Sequence, residues 1–120
     1  MAVDEGRRGV DLAIFAATSG HSGVDRVLAN LVPALVERGC RVDVLGIAGH
    51  GPHLENLPAG ARHLRFSTRH VGTALPALTR YLRRERPRVL LADKDRVNRT
   101  AFLARALAGS PTRLALRLGT

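Results

Sequence analysis

Residues 10–26 have the sequence VDLAIFAATSGHSGVDR, in which an apolar run leads into a glycine-containing turn and then into a helical pattern. The run at 10–17 is short and mostly apolar, which is typical of a buried strand. Gly39 is a natural helix end. Before it, apolar residues recur at helical spacing: Val24, Val27, Leu28, Leu31 and Leu35. The segment therefore predicts a strand, a turn and a helix, which continues through Pro33 with a bend.

The turn has the composition of a phosphate-binding loop. Backbone amides at a helix start are unpaired and carry the positive end of the helix dipole, and glycines let a ligand approach the main chain. Gly20 and Gly23 fit this chemistry, but Arg26 occupies the third glycine position of the dinucleotide-binding pattern GxGxxG. Two interpretations stay open: a loop that holds phosphate, and a glycine pair that only permits a tight turn.

The rest of the chain continues the alternation of strands and helices. Strands are expected at 41–47, 62–66, 89–92 and 112–118. One helix is expected to be capped by Thr73 and to end before Pro87. Another is expected to be capped by Asn98 and to face inward through Phe102, Leu103, Ala106 and Leu107.

Helical crossovers between strands require a parallel sheet. The fold class predicted is therefore α/β, a Rossmann-like doubly wound sheet with strand order 3-2-1-4-5. In this order the direction reverses between the first and fourth strands, so residues 18–24 and 93–98 are expected to line one crevice. Its candidate ligand-binding residues are His21, Asp93, Lys94, Asp95, Arg96 and Asn98. The alternative for 93–96 is a solvated turn whose charges pair with one another.

Composition narrows the function classes. The 120 residues suit one domain, expected at 10–120 after a flexible polar tail at 1–9. The absence of a long apolar run or secretory signal predicts a cytoplasmic protein. The single cysteine, Cys40, excludes an intrachain disulfide, and His50 and His53 in a loop are too few for a metal site. No cofactor is expected.

The chain has a net charge of +9, and all of its lysine and arginine residues except Lys94 are arginines. Nucleic-acid binders combine basic surfaces with aromatic stacking groups, and this chain has few aromatics, so no nucleic-acid partner is expected. Three interpretations of the charge remain: an anionic substrate, a solvated surface, and an anionic membrane surface that meets Arg80, Arg83, Arg84 and Arg86.

Two segments are similar to a known enzyme family. Residues 22–31, SGVDRVLANL, resemble its Gly-Gly-x-Glu-Arg loop and helix, and residues 35–44, LVERGCRVDV, resemble its Leu-x-x-Arg-Gly-His-x-Val segment. The family is the retaining GT-B glycosyltransferases of family 4, also called glycosyl transferase group 1, and the resemblance is to its N-terminal, acceptor-side domain. It implies transfer of a sugar from a nucleotide-sugar to an acceptor, including lipid-linked acceptors at the inner face of the cell membrane.

The resemblance also implies residue roles. Gly20, Ser22, Gly23 and Arg26 would contact the donor phosphates, assisted by Lys94. The family's histidine has no counterpart in residues 117–120, so no catalytic residue is assigned. The chain is expected to be an incomplete half of a GT-B fold, cut at its C-terminal end and inactive alone.

An incomplete domain of this kind is expected to self-associate through the exposed edge of the strand at 112–118. If sedimentation shows a monomer at every protein concentration, this prediction is contradicted. The alternative functions are a stand-alone phosphate- or nucleotide-binding module and a basic membrane-surface domain.

Overall fold

The computed structural model describes residues 9–17, 23–49, 57–93 and 95–117 of the chain. Their strands are β1 (Leu12–Phe15), β2 (Val42–Ile47), β3 (Ala61–Phe66), β4 (Val89–Asp93) and β5 (Arg113–Arg117). Their helices are α1 (Gly23–Glu37), α2 (Leu75–Glu85) and α3 (Asp95–Ala108), and a 3-10 turn, Gly72–Ala74, precedes α2. The predicted tail at 1–9, apart from Gly9, and His50 and His53 lie outside the described residues.

The strands form one sheet in the order β3-β2-β1-β4-β5, and each neighbouring pair is parallel. The predicted α/β fold and strand order are therefore confirmed. β1 lies at the centre, where Phe15 is in register with Leu45 of β2 and with Ala92 of β4. The near-continuous apolar sequence of β1 follows from this position, because a central parallel strand is covered on both faces.

The helices cover the two faces of the sheet unequally. α1 packs on one face, where Leu28 and Val32 meet Ile14 and Val44. α2 and α3 pack side by side on the other face, over a cluster that includes Phe15, Leu45, Leu82, Leu90 and Ala101. Alternate residues of β1 and β2 thus enter different cores, as the period of a strand requires.

Helix α1 continues through Pro33, as predicted, and a glycine follows its end. Gly39 has φ +91°, a conformation that glycine adopts without strain. The prediction that Val27 belongs to the apolar stripe is wrong, since its side chain is 52% exposed. The buried pair, Leu28 and Val32, is spaced four apart, and Val27 lies off that line.

The two predicted helix caps are also wrong. Thr73 lies inside the 3-10 turn and its hydroxyl donates to the carbonyl of His70 at 2.9 Å, while Ala74 occupies the N-cap position of α2. Asn98 lies within α3, which already begins at Asp95. The extra 3-10 turn and the earlier start of α3 displace both residues from the cap position.

The predicted inward face of α3 is wrong, and Ala106, which belonged to it, is exposed. The buried side of the helix is formed by Val97, Ala101 and Ala104, whereas Phe102 is 57%, Leu103 50% and Leu107 59% exposed. Alanine side chains let α3 approach both the sheet and α2 closely, and the larger residues take the outer side. β5 beside it forms one edge of the described sheet, and pairing of that edge with a second copy stays a prediction.

Candidate functional site

The crevice expected from the strand order would lie at the carboxyl ends of β1 and β4. We call the end of the sheet where the strands finish its carboxyl edge. β1 and β4 are neighbours and parallel, and the order reverses between them. After β1 the chain enters α1 at Gly23, and after β4 it enters α3 at Asp95. Because α1 and α3 lie on opposite faces, two helix N-termini flank this edge from the two sides.

The described residues include part of each predicted ligand-binding segment. Gly23 is the first residue of α1, and Arg26 lies in the first turn with an exposed side chain. Asp93 ends β4, and Asp95 and Arg96 open α3. Outside the described residues lie Gly20, His21, Ser22 and Lys94. The roles of all these residues stay predictions.

Charges in the first turn of α1 nearly cancel. Asp25 is buried, and its carboxylate is favourable beside the positive end of the helix dipole. Arg26, the next residue, extends its guanidinium into solvent. Any anion bound here would therefore be held by backbone amides and by Arg26, not by a net positive charge of the turn.

Asn98 differs from the other crevice candidates, because its side chain is 6% exposed. It lies one turn into α3, beside Val97 and Thr100, which are also buried. The Asn98 side chain is therefore buried near the start of α3 and is not part of the exposed surface.

An ionic cluster around a buried carboxylate lies at the amino ends of the strands, the amino edge of the sheet, and the sequence did not predict it. Asp43 of β2 accepts two hydrogen bonds from Arg62 of β3, from Nε at 2.9 Å and from Nη2 at 2.7 Å. The hydroxyl of Tyr81 on α2 donates to the same carboxylate at 2.6 Å. Asp43 is 2% exposed, so this carboxylate depends on its partners for the hydrogen bonds that water would supply.

Electrostatics of the cluster favour a neutral Tyr81 and a charged Arg62. Burial raises the pKa of the Tyr81 hydroxyl, and its hydrogen bond to Asp43 raises the pKa further. The hydrogen bond to Asp43 also raises the pKa of Arg62, whose Nη2 lies 3.6 Å from Glu85 as well. The cluster thus joins β2, β3 and α2 through a carboxylate, a guanidinium and a hydroxyl.

A sequence signal for this cluster exists. Asp43 is an acidic residue within an otherwise apolar strand. A carboxylate that is buried there needs a cationic or hydroxyl partner. Arg62 occupies the paired position on the neighbouring strand, in register with Asp43. That register follows from the tertiary structure, since 19 residues separate the two in sequence.

In the described part of the chain, no group of three or more His, Cys, Asp or Glu side chains is placed to hold a metal ion. No described helix is both long and apolar enough to cross a bilayer.

Comparison with known proteins gives no assignment. The sequence matches no protein-family model, and no curated protein matches it significantly. The fold, the two sheet edges and the sequence motifs are therefore the basis for a functional proposal.

Proposed function

We propose that this chain is the acceptor-side half of a retaining glycosyltransferase, which moves a sugar from a nucleotide-sugar donor to an acceptor at the cytoplasmic side of a cell membrane. The observation that carries the proposal is the adjacency of β1 and β4 at the point where the strand order reverses, with α1 and α3 starting just beyond. Parallel α/β sheets bind ligands at such points.

The chemistry of transfer explains why backbone amides matter at this edge. The bond between the anomeric carbon and the diphosphate oxygen breaks, the carbon bonds to an acceptor hydroxyl oxygen, and the hydroxyl proton passes to the departing diphosphate. Negative charge develops on the departing diphosphate. The amides at the start of α1 have no acceptor within the helix, and together with Arg26 they are suited to stabilise that charge.

Calorimetric titration with a panel of sugar nucleotides tests the proposal. Arg26→Gln is expected to weaken binding about tenfold, because a hydrogen bond to a charged group contributes about 1.5 kcal/mol or more. The matched control is Arg38→Gln, which removes an exposed arginine just after the other end of α1.

Three results would contradict this assignment. They are equal weakening by both variants, binding that Arg26→Gln leaves unchanged, and absence of binding by every sugar nucleotide. If free nucleotides bind as tightly as sugar nucleotides, the chain is instead a stand-alone phosphate- or nucleotide-binding module.

A second candidate function, which is compatible with the first, is docking on an anionic bilayer. The outer side of α3 exposes the apolar residues Phe102, Leu103 and Leu107. Beside it, α2 exposes Arg80, Arg83 and Arg84. Nη2 of Arg83 donates to the carbonyl of Leu107 at 3.1 Å, so the basic and apolar surfaces adjoin. Apolar side chains flanked by arginines are typical of surfaces that enter the headgroup region of anionic membranes.

Vesicle cosedimentation tests this surface. The protein should bind vesicles with anionic headgroups several-fold more tightly than neutral ones, and added salt should weaken the binding. Phe102→Ser should reduce binding at least threefold. Val27→Ser is the matched control, because Val27 is 52% exposed on α1, which packs on the opposite face of the sheet. Equal losses in both variants, or equal binding to neutral vesicles, would contradict the proposal.

A further inference from the structure

A cavity lies at the amino edge of the sheet, opposite the carboxyl edge discussed above. It has a volume of about 590 Å³ and is formed where the chain enters β1, β2 and β4. Its lining residues are Gly9, Val10, Asp11, Gly39, Arg41, Arg86 and Arg88. Small-molecule sites in proteins have volumes of about 300–1,000 Å³, so the cavity is large enough for a ligand.

The cavity is strongly basic. Arg41, Arg86 and Arg88 line it, and Asp11 is the carboxylate among its lining residues. The Asp11 carboxylate accepts the backbone N–H of Arg41 at 2.9 Å. Within the described chain, none of the three guanidinium groups forms an ion pair. Three like charges around one space repel one another, and a bound anion would relieve that repulsion.

The backbones that carry these arginines are fixed to one another. The N–H of Asp11 donates to the carbonyl of Arg41 at 2.9 Å, and the N–H of Arg88 donates to the carbonyl of Val10 at 3.0 Å. The carbonyl of Arg88 in turn accepts the N–H of Arg113 at 2.9 Å. Because the entering segments are held by the sheet itself, the cavity exists before any ligand arrives.

Arg86 occupies a backbone position that favours glycine. It follows α2 as the C-cap with φ +46°, and among the described residues it is the one non-glycine residue with a positive φ. Glycine is the usual residue in this conformation because it has no Cβ. Replacement of Arg86 by glycine therefore removes one guanidinium from the cavity and relieves backbone strain at the same time.

We propose that this amino-edge cavity binds the phosphate chain of a small polyphosphate, at a site separate from the proposed sugar-nucleotide crevice. Arg41, Arg86 and Arg88 are its positioning charges. A phosphate chain fits because arginine binds phosphate oxygens through several N–H donors at once, and a chain of phosphates can meet three such groups.

The test is calorimetric titration with inorganic triphosphate and, separately, with a nucleoside triphosphate. Arg86→Gly should weaken triphosphate binding about tenfold, as expected for loss of a charge-assisted hydrogen bond, and should raise Tm by roughly 3–6 °C. Weaker binding together with a higher Tm separates a lost contact from damage to the fold. Arg69→Gln is the control, since Arg69 is exposed and follows β3 at the other edge of the sheet.

Each outcome decides the proposal. Similar affinities for the two ligands would assign recognition to the phosphate chain alone, and tighter binding of the nucleotide would add contacts to its nucleoside. Absence of binding by both ligands would overturn the proposal, as would equal affinity in the wild type and Arg86→Gly, or equal weakening in Arg69→Gln. The Arg86→Gly comparison tests the amino-edge cavity and the Arg26→Gln comparison tests the carboxyl edge, so failure of one proposal is distinguishable from failure of the other.

Discussion

The Asp43 cluster at the amino edge of the sheet and the first turn of α1 at the carboxyl edge differ in how their charged residues are used. At the amino edge, Asp43, Arg62 and Tyr81 form short hydrogen bonds that join two strands to a helix, and Asp43 is almost fully buried. At the carboxyl edge, Arg26 in the first turn of α1 is exposed. A charged side chain with buried partners contributes mainly to stability, whereas one that faces solvent is available to a ligand.

This difference gives a rule that mutations can test. Substitutions of the amino-edge cluster should change the free energy of unfolding and leave ligand affinity at the carboxyl edge intact. Substitutions of exposed charges at the carboxyl edge should do the reverse.

The largest effect is expected from Asp43→Asn. The amide cannot accept both Arg62 donors and the Tyr81 hydroxyl with the strength of a carboxylate, and it leaves buried polar atoms without good partners. The free energy of unfolding should fall by about 2–3 kcal/mol in urea denaturation. The control Glu37→Gln, an exposed residue at the end of α1, should change it by less than about 0.5 kcal/mol. If the free energy of unfolding falls by similar amounts in both variants, the Asp43 cluster does not have the stabilising role proposed for it.

Tyr81→Phe should have a smaller effect, about 1 kcal/mol, since Asp43 keeps its two bonds to Arg62. It should also change the alkaline pH dependence. The pKa of Tyr81 is raised in the folded state, so its contribution to stability is complete below the unfolded pKa of about 10 and is lost as pH rises above that value. Denaturation at several alkaline pH values should show a steeper loss for the wild type than for Tyr81→Phe, and parallel curves would contradict this.

A matched glycine pair gives a still finer comparison. Gly39 precedes β2 at the amino edge with φ +91°, and Gly72 lies in the 3-10 turn beyond β3; neither has an atom within 4 Å of an added Cβ. Gly39→Ala should destabilise the protein by about 1 kcal/mol because of its conformation alone. Gly72→Ala should stabilise it by about 0.5 kcal/mol through the unfolded state. If thermal unfolding shows that the Tm of both variants shifts in the same direction, the conformations assigned to Gly39 and Gly72 are contradicted.

The smallest stability effect is expected at the carboxyl edge. Arg26→Gln should change the free energy of unfolding by less than about 0.5 kcal/mol, because its side chain is exposed. A loss as large as that of Asp43→Asn would show that Arg26 is structural, and would remove it from the proposed site.

The sheet was predictable because each strand and its order depend on local patterns and on the handedness of crossovers. Asp43 shows what local patterns omit, since its partners Arg62 and Tyr81 are 19 and 38 residues away. Helix α3 shows a second failure. Its alanines face inward and Phe102 faces out, because close packing between α3, α2 and the sheet outweighs the size of the side chain. The roles of residues 18–24 and 93–98 stay predictions from sequence and topology.

Amide chemical shifts of the ¹⁵N-labelled protein, titrated with a sugar nucleotide, test the central proposal most directly. The experiment is best run on Arg86→Gly, so that binding at the amino-edge cavity is weakened. We expect shifts concentrated in residues 18–24 and 93–98, at the carboxyl edge. Shifts confined to Gly9, Gly39 and their neighbours, or no shifts at saturating ligand, would contradict it.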